Sequence, residues 1–301
     1  MIIIENESIV ALNISPATCV KWAEEGLRLK YESIMPPKTA IHMPDSLNFF
    51  MTMPCLLPAR FGVFGCKNAS RFDCSHPSVK SYMMMCDSHN GNFKALINCD
   101  WITSMRTGAT AALAIRTYRK SDASVYGFMG LGQAGTAALH CFLDSTKNEP
   151  KTVRLLRYKN HAEKAIEKFK EYAGNVKFEI ADTVLDLVTG ADVVVSAITQ
   201  APSLLVEDAS VFKPGTLLVP IHTRGFQNCD TVFDKIFGDD YGQISGFQHF
   251  KEFRSFNEFS NVLLGKVPGR ESDSERIIAY NIGLGLHDVY YGYKIMQLLG
   301  V

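Results

Sequence analysis

The chain has 301 residues, 47 % of them hydrophobic and 21 % charged, which is the composition of an ordinary globular protein with a large core. Basic and acidic residues number 31 each, and this balance excludes the charge pattern expected of a protein that binds nucleic acid or an anionic membrane. The N-terminus lacks the basic segment of a signal peptide, and no apolar run approaches the ~18 residues of a membrane span. We therefore expect a soluble, cytoplasmic protein whose partner is a small molecule or a second copy of the chain.

The eight cysteines stand singly in apolar surroundings, with no C-x-x-C pair and no zinc-finger spacing. Structural zinc sites and disulfide-rich scaffolds both need clustered cysteines. We interpret these residues as small core side chains in a reducing compartment, and we predict no metal site.

The first ~115 residues mix helical and strand patterns, as in α+β domains. Residues 15–33 begin with Ser-Pro and continue with apolar residues at helical spacing, which predicts a capped helix. Short strands separated by Pro, Gly and Asn are predicted at TAIHMP, NFFMTMPCLL, FGVFGCKN and FKALINCD.

Strands and helices alternate beyond residue 120. The predicted strands are SVYGFMG, KTVRLLRYK, VKFEIAD, LVTGADVVVSAIT and GTLLVPI, and the predicted helices are residues 133–146 and an amphipathic helix ending at Gly174. This alternation indicates βαβ units and hence an α/β fold with a doubly wound parallel sheet. The segment from Ser274 to the C-terminus shows apolar residues three and four apart, which predicts one long helix that packs back on the first domain.

A glycine-rich motif follows the first of these strands. Gly130, Gly132 and Gly135 have G-x-G-x-x-G spacing directly before a helix rich in small residues. Such glycines permit a tight turn, close approach of a pyrophosphate to the backbone, and close packing of helix and strand, while the helix N-terminus attracts the phosphates. We predict a dinucleotide site here, and the loop also contains Leu131, Gln133 and Ala134.

The end of the second strand bears on the choice of cofactor. A free ribose 2′-hydroxyl is usually bound by an acidic residue ~20 positions after the glycines. Arg157 occupies the position 22 residues after Gly135, and Lys159 lies two residues further on. These cations suit a 2′-phosphate, and Tyr158 suits the adenine ring, unless the pair is merely solvated surface. The sequence therefore favours NADP(H), with NAD(H) possible.

Three basic residues in the first domain occur in unusual contexts. Lys38 lies among prolines, Lys67 follows an apolar run, and Arg106 opens a helix of small residues. Each alone is consistent with a snorkelling side chain or an ion pair. Together they predict a cationic clamp for a substrate carboxylate.

The stretches MPPKT, MTMP, FGCKN and WITSMRTGATAALA, the glycine loop, VVVSAIT and the ending GRESDSERIIAYNIGLGLHDVYYGYKI resemble the ornithine cyclodeaminase/mu-crystallin family over nearly the whole chain. The resemblance implies a Rossmann domain, residues 118–279, inserted in an α+β substrate-binding and dimerisation domain, residues 1–117 plus 280–301. It also implies a homodimer.

The resemblance implies roles for matching positions. Arg106 and Lys67 match substrate-carboxylate contacts, and Lys38 stands where many members have arginine, so that a bidentate contact becomes a point charge. Other implied positions are Met53 and Thr107 for substrate, and Ala197 and Thr199 for cofactor.

The stretch LLVPIHTRGFQNCD ends a strand with a polar run that the resemblance places at the nicotinamide. Family cyclodeaminases have G-G-D there, and this chain has His222, Thr223 and Arg224, so that arginine replaces the acid. A second cation at ~4 Å and an effective dielectric of ~20 would cost about 4 kcal/mol, which disfavours ornithine or lysine. Arg224 suits an anionic group instead, and His222 suits a general acid or base. The alternative is that Arg224 forms an ion pair elsewhere and His222 packs in the core.

Three further acids receive structural interpretations. Asp239 and Asp240 are expected in a solvated turn, and Asp288, which matches a family acid, is expected to cap a helix or form an ion pair.

The leading hypothesis is an NAD(P)-dependent oxidoreductase acting on the Cα–N bond of an amino or imino acid, with catalytic roles for His222, Arg224 and Lys67. The alternatives are an ornithine or lysine cyclodeaminase without net cofactor use, and a non-catalytic protein that binds NADPH or a small ligand.

Overall fold

The computed structural model describes the chain except for residue 45, residues 73–78, residue 200 and residues 222–224. The described chain divides into two compact units, the first comprising Met1–Arg106 with Gly283–Val301 and the second Thr107–Ile282. Among the described residues no helix is long and apolar enough to cross a membrane.

The regular elements are numbered along the chain. The helices are α1 (Asn6–Ala11), α2 (Pro16–Arg28), α3 (Asp100–Tyr118), α4 (Gln133–Ser145), α5 (His161–Lys168), α6 (Val184–Val188), α7 (Tyr241–Ile244), α8 (Phe259–Leu263) and α9 (Gly285–Leu299). The strands are β1 (Ile2–Ile4), β2 (Thr39–His42), β3 (Phe49–Leu56), β4 (Val63–Arg71), β5 (Val79–Asp87), β6 (Phe93–Asn98), β7 (Val125–Met129), β8 (Lys151–Leu156), β9 (Val176–Ala181), β10 (Val193–Ser196), β11 (Leu217–Pro220), β12 (Lys235–Gly238), β13 (Phe256–Glu258) and β14 (Ile277–Tyr280).

The first unit is built on a sheet in the order β1-β6-β5-β4-β3-β2, antiparallel except for the β1–β6 pair. Helix α9 packs on β3, β4 and β5, and α2 packs on α9. Side chains alternate along β4 between buried and half-buried, as expected when a sheet has one covered face. The covered face carries Lys67 into the interior below α9.

The second unit is built on a parallel sheet in the order β13-β12-β14-β11-β10-β7-β8-β9. Strands β10, β11 and β14 are buried along their whole length, which explains their continuous apolar sequences. The strand order changes direction between β7 and β10, and ligands of such sheets bind at the carboxyl ends of strands around that point. The predicted fold class, α/β with a doubly wound parallel sheet, is confirmed.

The prediction of one long C-terminal helix is wrong. Residues Ile277–Tyr280 form strand β14 between β11 and β12, and the helix begins only at Gly285. The short run IIAY is apolar on both faces, and such a run has the same pattern in a buried strand as in a buried helix. Gly283 lies between the two elements, and its φ of +90° is in the left-handed region that favours glycine.

Two smaller differences concern lengths and missed strands. Helix α5 ends at Lys168 and is followed by a 3-10 turn at Lys170–Tyr172, so the amphipathic pattern to Gly174 overstates its length. Strands β1, β5 and β13 were not among the predicted elements.

Candidate active site

The glycine loop connects β7 to α4 as predicted. Gly130 has φ of +79°, and a Cβ there would lie 2.4 Å from the backbone carbon of Ala197. A Cβ on Gly135 would lie 2.2 Å from the Gly130 carbonyl oxygen. A Cβ on Gly132 would meet nothing within 4 Å, and no side chain caps the helix that Gly132 precedes. The loop thus leaves space above exposed helix N–H groups, which fits a dinucleotide pyrophosphate.

The other loop and strand-end positions lie around these glycines. Ala197 donates its N–H to the Met129 carbonyl at 2.9 Å, which fixes the end of β10 beside the loop. Leu131 is buried, Gln133 and Thr199 are exposed, and Ala134 is half-buried. Whether these residues contact a cofactor stays a prediction.

Arg157 directly follows β8, next to the end of β9. Its Nε lies 2.6 Å from the Oδ1 of Asp182 and its Nη1 lies 2.5 Å from the Oε1 of Glu163. The hydrogen bond to Asp182 raises the pKa of Arg157 above its ordinary value, and the negative charges of Asp182 and Glu163 add to the effect. Tyr158 is 61 % exposed, and the Nζ of Lys159 lies 5.4 Å from its ring centroid. The structure therefore shows two carboxylates next to Arg157 that the sequence analysis did not predict.

One of those carboxylates, Asp182, could have been predicted from the pairing of the strands. Ala181 pairs with Leu156 in the β8–β9 ladder, and the Arg157 N–H donates to the Ala181 carbonyl at 2.9 Å. Because neighbouring parallel strands end at the same edge, the acid following β9 lies beside the residue following β8.

A buried ionic cluster lies in the first unit. The Nζ of Lys67 on β4 lies 2.8 Å from the Oδ1 of Asp288 on α9, and the Nε of Arg106 on α3 lies 3.1 Å from the same oxygen. Lys67 and Asp288 are at most 1 % exposed and Arg106 is 9 % exposed. Gly283 permits this approach, because a Cβ there would lie 2.6 Å from the Nη1 of Arg106. The structure thus brings together two of the three predicted clamp residues and joins them through Asp288.

The electrostatics of this cluster set the protonation states. Burial lowers the pKa of Lys67 to about 8, helped by Arg106 and opposed by the charge of Asp288. Burial would raise the pKa of Asp288, but the charges of Arg106 and Lys67 hold it below its ordinary value. The second carboxylate oxygen of Asp288, Oδ2, is buried without a hydrogen-bond partner. The neighbouring His287 ring contacts the Ala23 carbonyl at 3.1 Å, and burial lowers its pKa to about 4.

The third clamp residue, Lys38, lies immediately before β2. Thr39 pairs with Thr52, and Met53 pairs with Lys67. Continuing the first register by one residue would place Lys38 opposite Met53, with β3 between Lys38 and Lys67. Met53 is 5 % exposed and lies on the covered face of the sheet.

Lys67 has a hydroxyl neighbour that sequence reasoning missed. Its Nζ lies 3.5 Å from the Oγ1 of Thr103, and that oxygen lies 2.9 Å from the Oγ of Ser81. Thr103 precedes Arg106 by one helical turn, so helical spacing was the signal for it. Thr107 begins the second unit and is 9 % exposed.

His222, Thr223 and Arg224 lie outside the described residues, so their predicted roles are left as predictions.

The segment that follows them is anchored in the second unit. The Tyr280 hydroxyl donates to the Oδ1 of Asp230 at 2.5 Å, and burial raises the pKa of Asp230 to about 6.

The expectation of a solvated turn is wrong for Asp239. Asp239 is 1 % exposed, and its Oδ2 accepts the Ile282 N–H at 2.8 Å, which ties the end of β12 to the end of β14. Asp240 caps α7 by accepting the Gln243 N–H at 3.0 Å.

The parallel sheet order and the glycine loop together define a dinucleotide-binding protein of the Rossmann class. The model of the ornithine cyclodeaminase/mu-crystallin family matches residues 2–296. The chain belongs to this family, and the resemblance inferred from the sequence motifs is confirmed.

Known relatives are similar along most of the chain. The nodulation efficiency protein NfeD of Rhizobium meliloti is 26 % identical over 285 residues, 87 % of this chain and 83 % of that protein. The iminosuccinate reductase of Paracoccus denitrificans is 24 % identical over 232 residues, 73 % of this chain and 70 % of that protein, and its structure with NAD+ matches with a TM-score of 0.84 over 99 % and 96 % of the two chains. The Δ1-pyrroline-2-carboxylate reductase of Thermococcus litoralis, solved with NADH and L-proline, is 19 % identical and matches with a TM-score of 0.84 over 100 % and 99 %.

Proposed function

We propose that this protein is an NAD(P)-dependent oxidoreductase that interconverts an amine and an imine at the Cα–N bond of an amino or imino acid. The observation that carries the proposal is Lys67, an ammonium buried against Asp288 and next to Arg106, with a pKa of about 8. A lysine of this kind exchanges a proton near neutral pH, as the nitrogen of an imine requires. The reductases among the relatives are consistent with this chemistry.

Each residue has a role in the proposed reaction. The nicotinamide, when bound, supplies or accepts hydride at Cα. The Arg106 guanidinium binds the α-carboxylate, with the Lys38 ammonium as a second contact, and so orients Cα. Lys67 stabilises the negative charge of the substrate α-carboxylate and exchanges a proton with the substrate nitrogen. Asp288 keeps Lys67 and Arg106 in place. His222 is proposed as a further general acid or base.

The substrate proposed is an imino acid with a second anionic group. Arg224 replaces the acid of the cyclodeaminases and repels a cationic side chain, while it attracts a carboxylate. The iminosuccinate reductase has a dicarboxylate substrate by its name, which is consistent with this proposal.

The cofactor proposed is NADP(H) in preference to NAD(H). The glycine loop accepts the pyrophosphate, and Arg157 and Lys159 follow β8 at the ribose position, with Tyr158 available to stack on adenine. The solved relatives described above hold NADH or NAD+, so the preference is proposed for this chain from its own residues.

We also propose a homodimer formed through the open face of the first unit's sheet. Pro54, Cys66, Met84 and Leu96 are successive cross-strand partners on β3 to β6. All four belong to the face opposite Met53 and Lys67, and Tyr82 beside them is 42 % exposed. A contiguous apolar sheet face of this kind suits a second copy of the chain.

The proposed function is tested by incubating the purified protein with NADPH or NADH and a panel of imines, including iminosuccinate and Δ1-pyrroline-2-carboxylate. We expect net oxidation of the reduced cofactor with the imines, and a higher kcat/KM for the dicarboxylate. Arg224→Asp is expected to reverse that charge preference, while Arg224→Gln should only weaken it. Proline and ammonia formed from ornithine without net cofactor change would instead establish a cyclodeaminase. Tight NADPH binding without turnover of any amine or imine would establish a binding protein.

A further inference from the structure

The ion cluster around Arg157 joins three parts of the second unit. Arg157 follows β8, Asp182 follows β9, and Glu163 lies in the first turn of α5. The two carboxylates accept from different nitrogens of the guanidinium, Nε for Asp182 and Nη1 for Glu163. The Arg157 guanidinium, which would bind a 2′-phosphate, therefore already has two of its nitrogens paired with carboxylates of the protein.

The charges at this position cancel. Arg157 and Lys159 carry two positive charges, and Glu163 and Asp182 carry two negative ones, so the formal sum is zero. A 2′-phosphate must displace the carboxylates from Arg157 or lie beside them, and both arrangements oppose binding. A 2′-hydroxyl, by contrast, can donate a hydrogen bond to a carboxylate oxygen. The cations thus favour NADPH, whereas the carboxylates favour NADH.

We propose that Asp182 and Glu163 are specificity-determining residues that hold Arg157 and so reduce the preference for NADPH over NADH, which allows NADH to bind as well. This inference rests on the cofactor site of the proposed function. Asp182 has the larger effect, because its hydrogen bond from the Arg157 Nε, 2.6 Å long, is the main cause of the raised pKa of Arg157, and Glu163 is a smaller cause.

The test measures dissociation constants of NADPH and NADH by nucleotide fluorescence, with no substrate present. In Asp182→Asn we expect the NADPH constant to fall by about tenfold, the scale of one charge-assisted hydrogen bond, while the NADH constant stays the same or rises. In Glu163→Gln we expect a smaller fall. Competition by adenosine 2′,5′-bisphosphate against ADP locates the effect at the ribose. In an Arg157→Ala background the gain from Asp182→Asn should shrink, because the carboxylate no longer has a guanidinium to hold.

Glu167→Gln is the matched control, because Glu167 lies one turn further along α5 and pairs with Lys170. Its NADPH to NADH ratio should equal that of the wild type. An unchanged ratio in Asp182→Asn, an equal change in the control, or an undiminished gain without Arg157 would overturn the inference. Wild-type protein that binds neither nucleotide would overturn the inference and the proposed function together. A shifted binding ratio in a protein that reduces no imine would support the inference and overturn only the proposed reaction.

Discussion

At the scale of single residues, the central feature is a carboxylate shared by two buried cations. Asp288 accepts from Lys67 and Arg106 through one oxygen, and all three side chains are largely removed from water. Desolvation makes each charge costly, and the cluster persists because the opposite charges lie at hydrogen-bond distance. Lys67 and Arg106 were predicted from their apolar contexts. Their joint pairing with Asp288 was not predicted, because residues 67, 106 and 288 meet only through the packing of β4, α3 and α9.

Removal of the shared carboxylate should destabilise the fold. Asp288→Asn leaves two buried cations without an opposing charge, and we expect a loss of about 3–5 kcal/mol in the free energy of unfolding, measured by urea titration. Because the folded-state pKa of Asp288 lies below its ordinary value, its contribution is present above pH 3.8 and is lost as the pH falls through the folded pKa. The control Glu24→Gln, which removes a surface ion pair with Arg28 in the same unit, should cost about 1 kcal/mol or less. Equal losses in the two variants would contradict the account.

The pH dependence of imine reduction should report on Lys67. With a pKa of about 8, the protonated amine is the proton donor below that value and is depleted above it. We expect kcat/KM for reduction to fall about tenfold per pH unit on the alkaline side. Lys67→Arg should lower the rate and move the alkaline fall in kcat/KM to a pH above the range that can be measured. Lys94→Arg, at an exposed ion pair with Asp87, should leave the pH profile unchanged. A profile that Lys67→Arg does not alter would exclude Lys67 as the acid.

At the scale of elements, the glycine loop and the strand ends form the proposed cofactor site. Three glycines, a preceding buried strand and a following small-residue helix sufficed to predict this unit from the sequence, because each glycine meets a separate steric demand. The second element of the site, the Arg157 cluster, was only half predicted. Its acids come from α5 and from the end of β9, which the count along β8 does not reach.

The loop makes two neighbouring glycines respond differently to the same substitution. Gly130→Ala requires a left-handed alanine and a clash with the Ala197 backbone, so we expect about 2–5 kcal/mol of destabilisation. Gly132→Ala meets open space, so the fold should lose about 1 kcal/mol or less. Its methyl group would nevertheless lie where the phosphates contact the backbone, and NADPH affinity should fall about tenfold or more. Urea unfolding and nucleotide titration of both variants check this pattern, and unimpaired NADPH binding by Gly132→Ala would place the phosphates elsewhere.

At the scale of the whole molecule, alternating strands and helices predicted the parallel sheet, and family motifs predicted the class of protein. Strand β14 was missed because four buried apolar residues are compatible with either a helix or a strand. Strand β5 was also missed. It lies between β4 and β6, and this pairing depends on cross-strand packing, which hydrophobic periodicity does not predict.

The open sheet face predicts the oligomeric state. Tyr82→Glu places a charge on that face, and we expect a dimer to dissociate to a monomer, measured by light scattering at several protein concentrations. Val10→Glu, at a 50 % exposed position on α1, should leave the dimer intact. A monomeric wild-type protein, or a Tyr82→Glu variant that remains a dimer, would contradict the proposed interface.

The most direct test of the central claim is transfer of a labelled hydride. NADPH that carries two deuterium atoms at C4 of the nicotinamide is incubated with the protein and an imine that has a second carboxylate, and the product is analysed by mass spectrometry. The proposed function predicts one deuterium at Cα of the amino acid and one oxidised cofactor for each product molecule. Recovery of the imine with the cofactor unchanged, or an amino acid without deuterium at Cα, would contradict it.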